Sequence, residues 1–303
     1  MPDWDDLRYL LAVARAGSAS AAARTLGVAQ TTVSRRIAAL EDELRVPLFV
    51  ATATGQSLSP EGQRVLTHVE RMERDALAAL QALAGRGGEV AGPVCVTASE
   101  WMIQRVIGPI VGPLLARYPE LELELLAEPK HLNLQRRDAD IAIRPSRFEQ
   151  PDVVQREVAT IGFGLYASDA YLASHGAPDF ERQGEGHDLI AMSASLGKVP
   201  DVDWLPTIAA RARVVARLNA REPMATMAAA GVGFTCLPRF VGDATPGLRL
   251  LQTPGAPPSR KLWLGVHRDA RSVKRVRATA DFLAERFSHL QAALCPDSPG
   301  DGR

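Results

Sequence analysis

The chain has 303 residues, 46% of them hydrophobic and 23% charged, a length that suits two or three domains with buried cores. Its 35 basic and 35 acidic residues cancel, so no global field attracts nucleic acid or a membrane, and any such binding has to come from a local patch. Three distant cysteines argue against a disulfide framework or a zinc site. The acidic N-terminus and the lack of a long apolar run argue against a signal peptide or a membrane span, and we expect a soluble cytoplasmic protein.

The first sixty residues carry the pattern of a helix, a glycine turn and a second helix. Apolar residues at helical spacing predict a helix over Trp4–Ala16 that ends at Gly17. Ser18 then caps a short alanine-rich helix, and Gly27 provides the turn into a third helix that opens at residue 30 or 31. The third helix has one apolar stripe, formed by Val33, Ile37, Leu40 and Leu44. This arrangement is typical of a helix-turn-helix.

Polar residues of the third helix lie off its apolar stripe. Thr31 and Thr32 stand at its N-terminal end, and Arg35 and Arg36 follow one turn later. Such a surface suits the major groove of DNA, where N-terminal side chains reach base edges and arginines reach guanine or phosphate. The alternative is a solvated helix face whose arginines pair with nearby acids such as Glu41.

The order of residues over this segment resembles the N-terminal domain of LysR-type transcriptional regulators. The matching positions are Leu7, Tyr9, Ala12, Val13, Gly17, Ser18, Ala22, Ala23, Leu26, Val28, Gln30, Val33, Ser34, Ile37, Leu40, Glu41, Leu44, Leu48, Phe49, Leu58 and Gly62. The resemblance implies a winged helix-turn-helix with wing strands at Val46–Phe49 and Gln56–Ser59. The DNA-binding set that we predict comprises Ser18, Gln30, Thr31, Thr32, Ser34, Arg35 and Arg36. The family usually has an arginine soon after the Leu-Phe pair, where this chain has Val50 and Ala51, so the wing's phosphate contact is expected to be weaker or missing.

A long helix is predicted to follow the wing. Ser59, Pro60 and Glu61 form a helix start, and the pattern continues to about Ala84, before the glycine-rich stretch Gly85–Pro93. Its apolar seam alternates spacings of four and three and comprises Val65, Val69, Met72, Ala76, Ala79 and Leu83. We expect this linker helix to pair with a second copy in a homodimer; the alternative is a helix packed on its own domain.

Strands and helices alternate after Pro93. The order is a strand at PVCVTAS, a helix at WMIQRVIGPIVGPLLARYP that is kinked or broken at its Gly-Pro pairs, a strand at LELELL, a short helix at LNLQRRD and a strand at ADIAIR. This βαβαβ order predicts a parallel sheet with right-handed crossovers. A second unit begins at IGFGLYAS and continues through a helix at DAYLASHG, strands at DLIAMS and ARVVARL, a helix at REPMATMAAAG and a strand at VGFTCLP. The strand KLWLGVHR and a helix over Arg271–Leu294 close the chain.

The resemblance to LysR-type regulators extends over this region through ADIAIR and AAAGVGFTCLP. It implies an α/β multidomain chain: a mainly α winged helix-turn-helix, a long linker helix, and an effector domain of two α/β subdomains similar to periplasmic binding proteins. The expected boundaries are 1–59 for the DNA-binding domain, 60–92 for the linker, 93–295 for the effector domain and 296–303 for a disordered tail. Within the effector domain we expect subdomain I at about 93–160 and 264–294, and subdomain II at about 161–263.

A ligand cleft between the subdomains is expected at the carboxyl ends of the strands. The predicted effector-binding residues are Thr97, Ser99, Glu100, Trp101, Glu128, Arg144, Ser146, Ser193 and Asn219. Ser99 precedes a helix whose free N–H groups attract an anion, and Arg144 suits a carboxylate. Alternatively, Ser99 merely caps the helix and Arg144 pairs with Glu128. The mixed charges leave the ligand's sign open, and a small organic acid is the effector that we favour.

These features favour a DNA-binding transcriptional regulator, a homodimer or homotetramer that responds to a small molecule in its cleft. The alternative from another class is a cytoplasmic small-molecule binding protein or enzyme whose N-terminal helices only mediate association. A third reading is a regulator whose cleft is filled by its own side chains. No nucleotide-binding, hydrolase or metalloprotease motif is present in the sequence, so we predict no catalytic residues, no metal and no cofactor. Cys95 and Cys236 raise thiol redox sensing, but strand cysteines are more often small hydrophobes.

Overall fold

The computed structural model describes residues 3–52, 55–81, 90–127, 139–193 and 199–296. The chain forms two compact units, residues 1–88 and 89–303. The division falls inside the predicted linker. No helix in the described ranges is long and apolar enough to cross a bilayer.

The first unit is helical with one hairpin, as the sequence predicts. Its elements are α1 Trp4–Ala16, α2 Ala19–Leu26, α3 Gln30–Leu44, β1 Phe49–Thr52, β2 Gly55–Leu58 and α4 Pro60–Gln81. Gly17 and Gly27 both adopt left-handed backbone conformations, with φ of 73° and 68°, and end α1 and α2. The hydroxyl of Ser18 caps α2 by accepting the backbone N–H of Ala21 at 3.2 Å.

The first wing strand begins later than predicted. The prediction was Val46–Phe49, but pairing with β2 starts only at Phe49. The carboxylate of Glu41 on α3 accepts the backbone N–H groups of Leu48 at 2.7 Å and Phe49 at 3.1 Å, and Pro47 has no N–H to give. The stretch before Phe49 is therefore held by α3 on one side. On the other side it is held by Ser59, directly after β2, whose backbone N–H donates to the oxygen of Leu48 at 2.9 Å and whose hydroxyl donates to that of Pro47 at 2.6 Å. The second wing strand is displaced by one residue only.

The core of the first unit is shared by all four helices. It comprises Leu10, Leu11, Val13, Ala22, Ala23, Val33, Ile37, Leu40, Leu48, Leu66 and Val69. Helix α4 approaches the wing so closely that a Cβ on Gly62 would lie 2.1 Å from the backbone oxygen of Leu48. The start of α4 is thus part of this unit's core and not a free-standing connection.

The second unit alternates strands and helices. Its elements, in chain order, are β3 Gly92–Ala98, α5 Glu100–Met102, a π-helical turn Ile103–Ile107, α6 Gly108–Arg117, β4 Leu121–Ala127, β5 Ile141–Arg144, β6 Val153–Ser168, α7 Asp169–His175, β7 Asp188–Met192, α8 Pro200–Ala209, β8 Arg213–Leu218, α9 Arg221–Ala229, β9 Phe234–Pro238, α10 Arg239–Gly242, β10 Leu248–Leu251, β11 Ser259–His267, a 3₁₀ turn Arg268–Ser272, α11 Lys274–His289 and α12 Gln291–Leu294.

Two groups of strands share β6. In the first, β3 pairs in parallel with β4 and β5, which confirms the parallel pairing predicted for these three strands, and β11 lies antiparallel between β5 and the N-terminal half of β6. In the second, the C-terminal half of β6 lies between β10 and β9, followed by the parallel strands β7 and β8. The predicted subdomain boundary at residue 264 falls inside β11, all of which pairs with strands of the first group, and the division into two subdomains stays a prediction.

The predicted start of subdomain II, at Ile161, falls inside a continuous strand. β6 runs without a break through that position. Two glycines stand where it passes from one group of strands to the other. A Cβ on Gly162 would lie 3.1 Å from the Sγ of Cys295, and one on Gly164 would lie 2.5 Å from Leu250. A side chain at Gly164 would require Leu250 to move, and one at Gly162 would be in tight contact with Cys295.

The predicted break near Gly108 takes the form of the π-helical turn. Pro109 has no N–H to donate to the carbonyl four residues earlier, at Arg105, and its ring crowds that oxygen in a regular α-helix. One extra residue in the preceding turn relieves the crowding. The helix then continues as α6, with the backbone N–H of Gly108 donating to the oxygen of Ile103.

Several sequence-based boundaries need correction. α8, α10 and β10 were not predicted, and the final helix begins three residues after Arg271 and is interrupted at Leu290. Five predictions lie outside the described residues: Leu83, Glu128, the short helix at LNLQRRD, the end of the linker helix, and the tail from residue 297.

Candidate DNA-binding helix and effector cleft

The outer face of α3 carries the polar residues that the sequence singled out. Gln30, Thr31, Ser34 and Arg35 are exposed, and Thr32 is half-buried. The opposite stripe is fixed in the core, with Val33 fully buried, and this orients the polar face outward. The backbone donors of the first turn have no side-chain cap, because Ala29 occupies the N-cap. The arrangement can present hydrogen-bonding groups and one guanidinium to a duplex.

Arg36 faces its own domain more than its neighbour Arg35 does. Its Nη1 lies 3.1 Å from the Oδ1 of Asp6, which is only 8% exposed, and its guanidinium lies 6.0 Å from the ring centroid of Tyr9. This contact joins α3 to α1. The two adjacent arginines therefore have different surroundings, which their sequence alone does not distinguish.

The predicted seam of α4 divides into two parts. Val69 is buried and Val65 half-buried in the core of the first unit. Met72 is 43% exposed and Ala76 is also exposed, so they remain available to a partner. Ala79 lies in the helix, but its side chain is outside the described part. The N-terminal half of the seam thus follows the alternative interpretation, in which α4 packs on its own domain.

A cleft of about 560 Å³ opens in the second unit. Its lining includes six of the predicted effector residues: Ser99, Glu100, Trp101, Arg144, Ser146 and Asn219. Thr97 is buried beneath it, and its hydroxyl accepts from the Nη2 of Arg144 at 3.0 Å. Ser193 does not line the cleft; its backbone N–H donates to Leu218 at 2.7 Å. The strand-end argument therefore predicted six residues that line one cavity of the second unit, and effector binding there stays a prediction.

Ser99 stands at the N-cap of α5, but its side chain makes no cap hydrogen bond. Its backbone oxygen accepts from Met102 and Ile103, both at 3.0 Å. The adjacent Trp101 is buried, with its ring centroid 5.5 Å from that of Phe240. Ser99 therefore presents its hydroxyl at the cleft wall without serving as a side-chain cap.

The sequence analysis missed a buried ionic group beside the cleft. Asp201 is fully buried and accepts from both Arg221 and Arg260, the latter at 3.2 Å. Arg221 also donates to the backbone oxygen of Cys236 at 2.9 Å, and Arg260 donates to that of Pro145 at 3.1 Å. Burial lowers the pKa of Arg260 from its ordinary value, partly offset by the charge of Asp201.

Arg221 and Arg260 escaped the sequence analysis for different reasons. Arg221 follows Asn219 closely, so the strand-end argument had a signal for it. Arg260 lies near the amino end of β11, where strand-end reasoning does not look. Because β11 runs antiparallel to β5, with Trp263 opposite Arg144, its amino end returns to the carboxyl end of the parallel strands. Arg221 and Arg260 line the cleft together with Arg144 and Lys261. The described lining residues thus include four basic side chains and one carboxylate, that of Glu100.

The two strand cysteines do not form a redox pair in this structure. Cys95 lies on β3 and Cys236 on β9, and both are buried as free thiols. Burial raises the pKa of the Cys236 thiol to about 12, so the reactive thiolate is not populated at neutral pH. Cys236 behaves as a small buried hydrophobe, in line with the interpretation that the sequence favoured.

Comparisons with known proteins agree with this organisation. Residues 4–63 match the family model for the bacterial regulatory helix-turn-helix protein of the lysR family, and residues 87–288 match the LysR substrate binding domain. The chain is 26% identical over 245 residues to the HTH-type transcriptional regulator CrgA of Neisseria meningitidis, covering 79% of this chain and 80% of that protein. It is 28% identical over 291 residues to the Mau operon transcriptional activator of Paracoccus denitrificans, covering 96% and 98%. The solved structure of CrgA aligns with a TM-score of 0.58 at 26% identity, covering 93% of this chain and 98% of that one.

The fold and the cleft define a helix-turn-helix protein with a ligand-binding α/β unit. With both units matched by its family models, the chain belongs to the LysR family of transcriptional regulators. The similar proteins are transcriptional regulators and not enzymes, which confirms the function predicted from the sequence over the enzyme alternative.

Proposed function

We propose that this regulator binds operator DNA through the exposed face of α3, as a dimer joined along α4, and that a small organic anion in the cleft controls it. The observation that carries the DNA part is the exposure of Gln30, Thr31, Ser34 and Arg35 on one face of a helix whose other face is fixed in the core. Side chains at the N-terminal end of a recognition helix reach base edges in the major groove. Such a protein acts in the cytoplasm, where bacterial DNA is found.

Dimerisation raises the affinity that the small DNA-binding face can reach. One helix with one exposed arginine offers few phosphate or base contacts, whereas two copies offer twice as many on two half-sites. Met72 and Ala76 are the exposed part of the predicted seam and form the candidate contact. A tetramer built from two such dimers is compatible with the same contact.

The proposal of an anionic effector rests on the charges around the cleft. Arg144, Arg221, Arg260 and Lys261 line it, and Glu100 is the single acid among the described lining residues. Asp201 offsets part of this charge from beneath, and Glu157 accepts from Lys261 at 2.7 Å. Guanidinium groups bind carboxylates with paired, charge-assisted hydrogen bonds. For regulation, the anion has to bind one arrangement of the protein better than another.

The DNA part is tested with duplex from the region upstream of the protein's own gene, in a salt series monitored by fluorescence anisotropy. Wild type is expected to prefer this duplex over random DNA, and the double variant Gln30→Ala/Thr31→Ala is expected to lose that preference while keeping its salt dependence. Gln63→Ala, exposed on α4, serves as the control. Equal binding of both duplexes by wild type would contradict the role given to α3.

The effector part is tested by thermal shift with a panel of small organic acids and by calorimetry on those that stabilise the protein. Arg144→Gln is expected to weaken binding at least tenfold, since it removes a charged donor from the cleft wall. Arg249→Gln, an exposed arginine on β10, is the matched control. Stabilisation by organic cations, with no response to any acid, would contradict an anionic effector.

A further inference from the structure

Glu100 lines the cleft and connects α5 to α9. It is the first residue of α5, and its Oε1 accepts the backbone N–H of Arg221 at 2.9 Å. Arg221 is the first residue of α9, so this N–H belongs to the unpaired donors of a helix start. A carboxylate is favoured at such a place by the hydrogen bond and by the helix dipole. The protein thus fills this anion position with its own side chain.

The π-helical turn explains why two side chains reach α9 together. In a regular α-helix, Glu100 and Arg105 would point about 140° apart, since each residue turns the helix by roughly 100°. The extra residue in the π-helical turn reduces this angle, and both side chains contact α9. Arg105 forms two hydrogen bonds with Glu222, from Nε at 2.8 Å and from Nη2 at 2.7 Å. The hydrogen bond to Glu222 raises the pKa of Arg105.

Two cationic groups of the cleft lining lie on other elements. Arg144 ends β5 and Arg260 stands near the start of β11, both on the wall of the cleft. Asp201 accepts from Arg221 and Arg260 beneath them. Lys261, the remaining cation of the described lining, already donates to Glu157 at 2.7 Å. A ligand carboxylate bound at Arg144 and Arg260 therefore shares the cleft with the carboxylate of Glu100. A second ligand carboxylate would add a like charge, which is costly in a partly desolvated cleft.

We propose that Glu100 determines the charge of the effector: by occupying the anion position at the start of α9, it restricts the cleft to ligands with a single carboxylate. This inference rests on the proposed anionic effector and adds the ligand class. It assigns Glu100 a role in specificity, and the Arg105–Glu222 pair joins the same stretch of chain to α9.

The test compares matched ligands that differ by one carboxylate, butyrate with succinate and benzoate with phthalate, by calorimetry on the full chain. Wild type is expected to bind each monocarboxylate more tightly than its partner. Glu100→Gln keeps a hydrogen-bond acceptor for Arg221 but loses the charge, so the affinity for the dicarboxylate should rise about tenfold relative to the monocarboxylate. Glu122→Gln removes the same charge from the exposed surface of β4 and should leave the ratio unchanged. Glu100→Ala also removes the charge and should shift the ratio in the same direction, which gives a second variant if Glu100→Gln is unstable.

Each outcome separates this inference from the proposed function. If monocarboxylates bind wild type and Glu100→Gln leaves the ratio unchanged, the role of Glu100 is wrong and the anionic effector stands. If wild type prefers dicarboxylates, the role of Glu100 is again wrong and the anionic effector stands. If no carboxylate of either kind binds wild type or Glu100→Gln at millimolar concentration, the anionic effector and the inference fail together.

Discussion

The two units of this protein are built by different kinds of contact. In the first, residues close in sequence determine the structure: glycines and a capping serine end and start the helices, and an apolar stripe on each helix meets its neighbours. In the second, the cleft depends on residues that meet only after the strands have paired, such as Asp201 with Arg221 and Arg260. The proposed DNA-binding face therefore follows from local pattern, whereas the candidate effector cleft follows from sheet topology.

The largest expected effect breaks the long-range contact. Asp201→Ala leaves the buried Arg221 and the partly buried Arg260 without their carboxylate, which should lower the free energy of unfolding of the second unit by about 3–5 kcal/mol. Asp203→Ala in the same helix changes an exposed acid and should have little effect. Urea denaturation followed by circular dichroism measures both. Equal stability of the two variants would show that the buried ionic group does not hold the second unit together.

Steric change in the first unit should come next in size. Gly62→Ala places a Cβ against the backbone oxygen of Leu48, and such overpacking typically costs about 1–3 kcal/mol. Gly112→Ala is the matched control, because nothing lies within 4 Å of its Cβ and alanine favours a helix over glycine by about 1 kcal/mol. Thermal unfolding should show a lower midpoint for the first variant and an equal or higher one for the second. The reverse order would contradict the close approach of α4 to the wing.

The adjacent arginines of α3 sharpen the comparison within one unit. Arg36→Ala breaks the contact with the buried Asp6 and should cost about 1–2 kcal/mol of stability. Arg35→Ala should leave stability unchanged and weaken DNA binding about tenfold, as expected for loss of one base or phosphate contact. Denaturation and anisotropy titrations on the same two proteins separate these effects. A loss of stability in Arg35→Ala without a loss of DNA binding would refute this division of roles.

The exposed part of the linker seam gives the next test. Met72→Glu places a charge in the proposed dimer contact and should raise the dimer dissociation constant at least tenfold, since an unpaired charge is costly to bury. Gln63→Glu adds the same charge near the start of α4 and should leave the dimer intact. Sedimentation at several concentrations measures both. An unchanged dimer in the first variant would move the interface away from α4.

The smallest effect is expected at the surface. Glu73→Gln removes the ion pair with Arg15, whose Nη2 lies 2.7 Å from the carboxylate while both side chains stay over a third exposed. Solvent screening limits such pairs to about 0–1 kcal/mol. The loss in free energy of unfolding would then be several-fold smaller than that expected for Asp201→Ala. A loss as large as that of Asp201→Ala would show that exposure does not separate the two ion pairs.

Much of the fold and part of the site could be predicted from the sequence. Gly17, Ser18 and Gly27 predicted the helix boundaries because caps and turns act over a few residues. The strand-end rule placed Ser99 and Arg144 at one candidate cleft because the carboxyl ends of parallel strands meet at the same edge of a sheet. Arg260 was missed because its position depends on the direction in which β11 pairs, and Asp201 because a buried acid is recognisable only by the two arginines that surround it. The π-helical turn was predicted only as a break, since a Gly-Pro pair does not reveal how a helix accommodates it.

The shared strand β6 also limits how the protein can be taken apart. Strands of both halves of the α/β unit pair with the same sixteen-residue strand, β6, so neither half is a separable module. A truncated chain that ended at the apparent border near residue 160 would cut through paired backbone and leave two open sheet edges prone to aggregation. Engineers who wish to exchange one half for that of a relative would have to transplant the whole segment, together with Gly162 and Gly164.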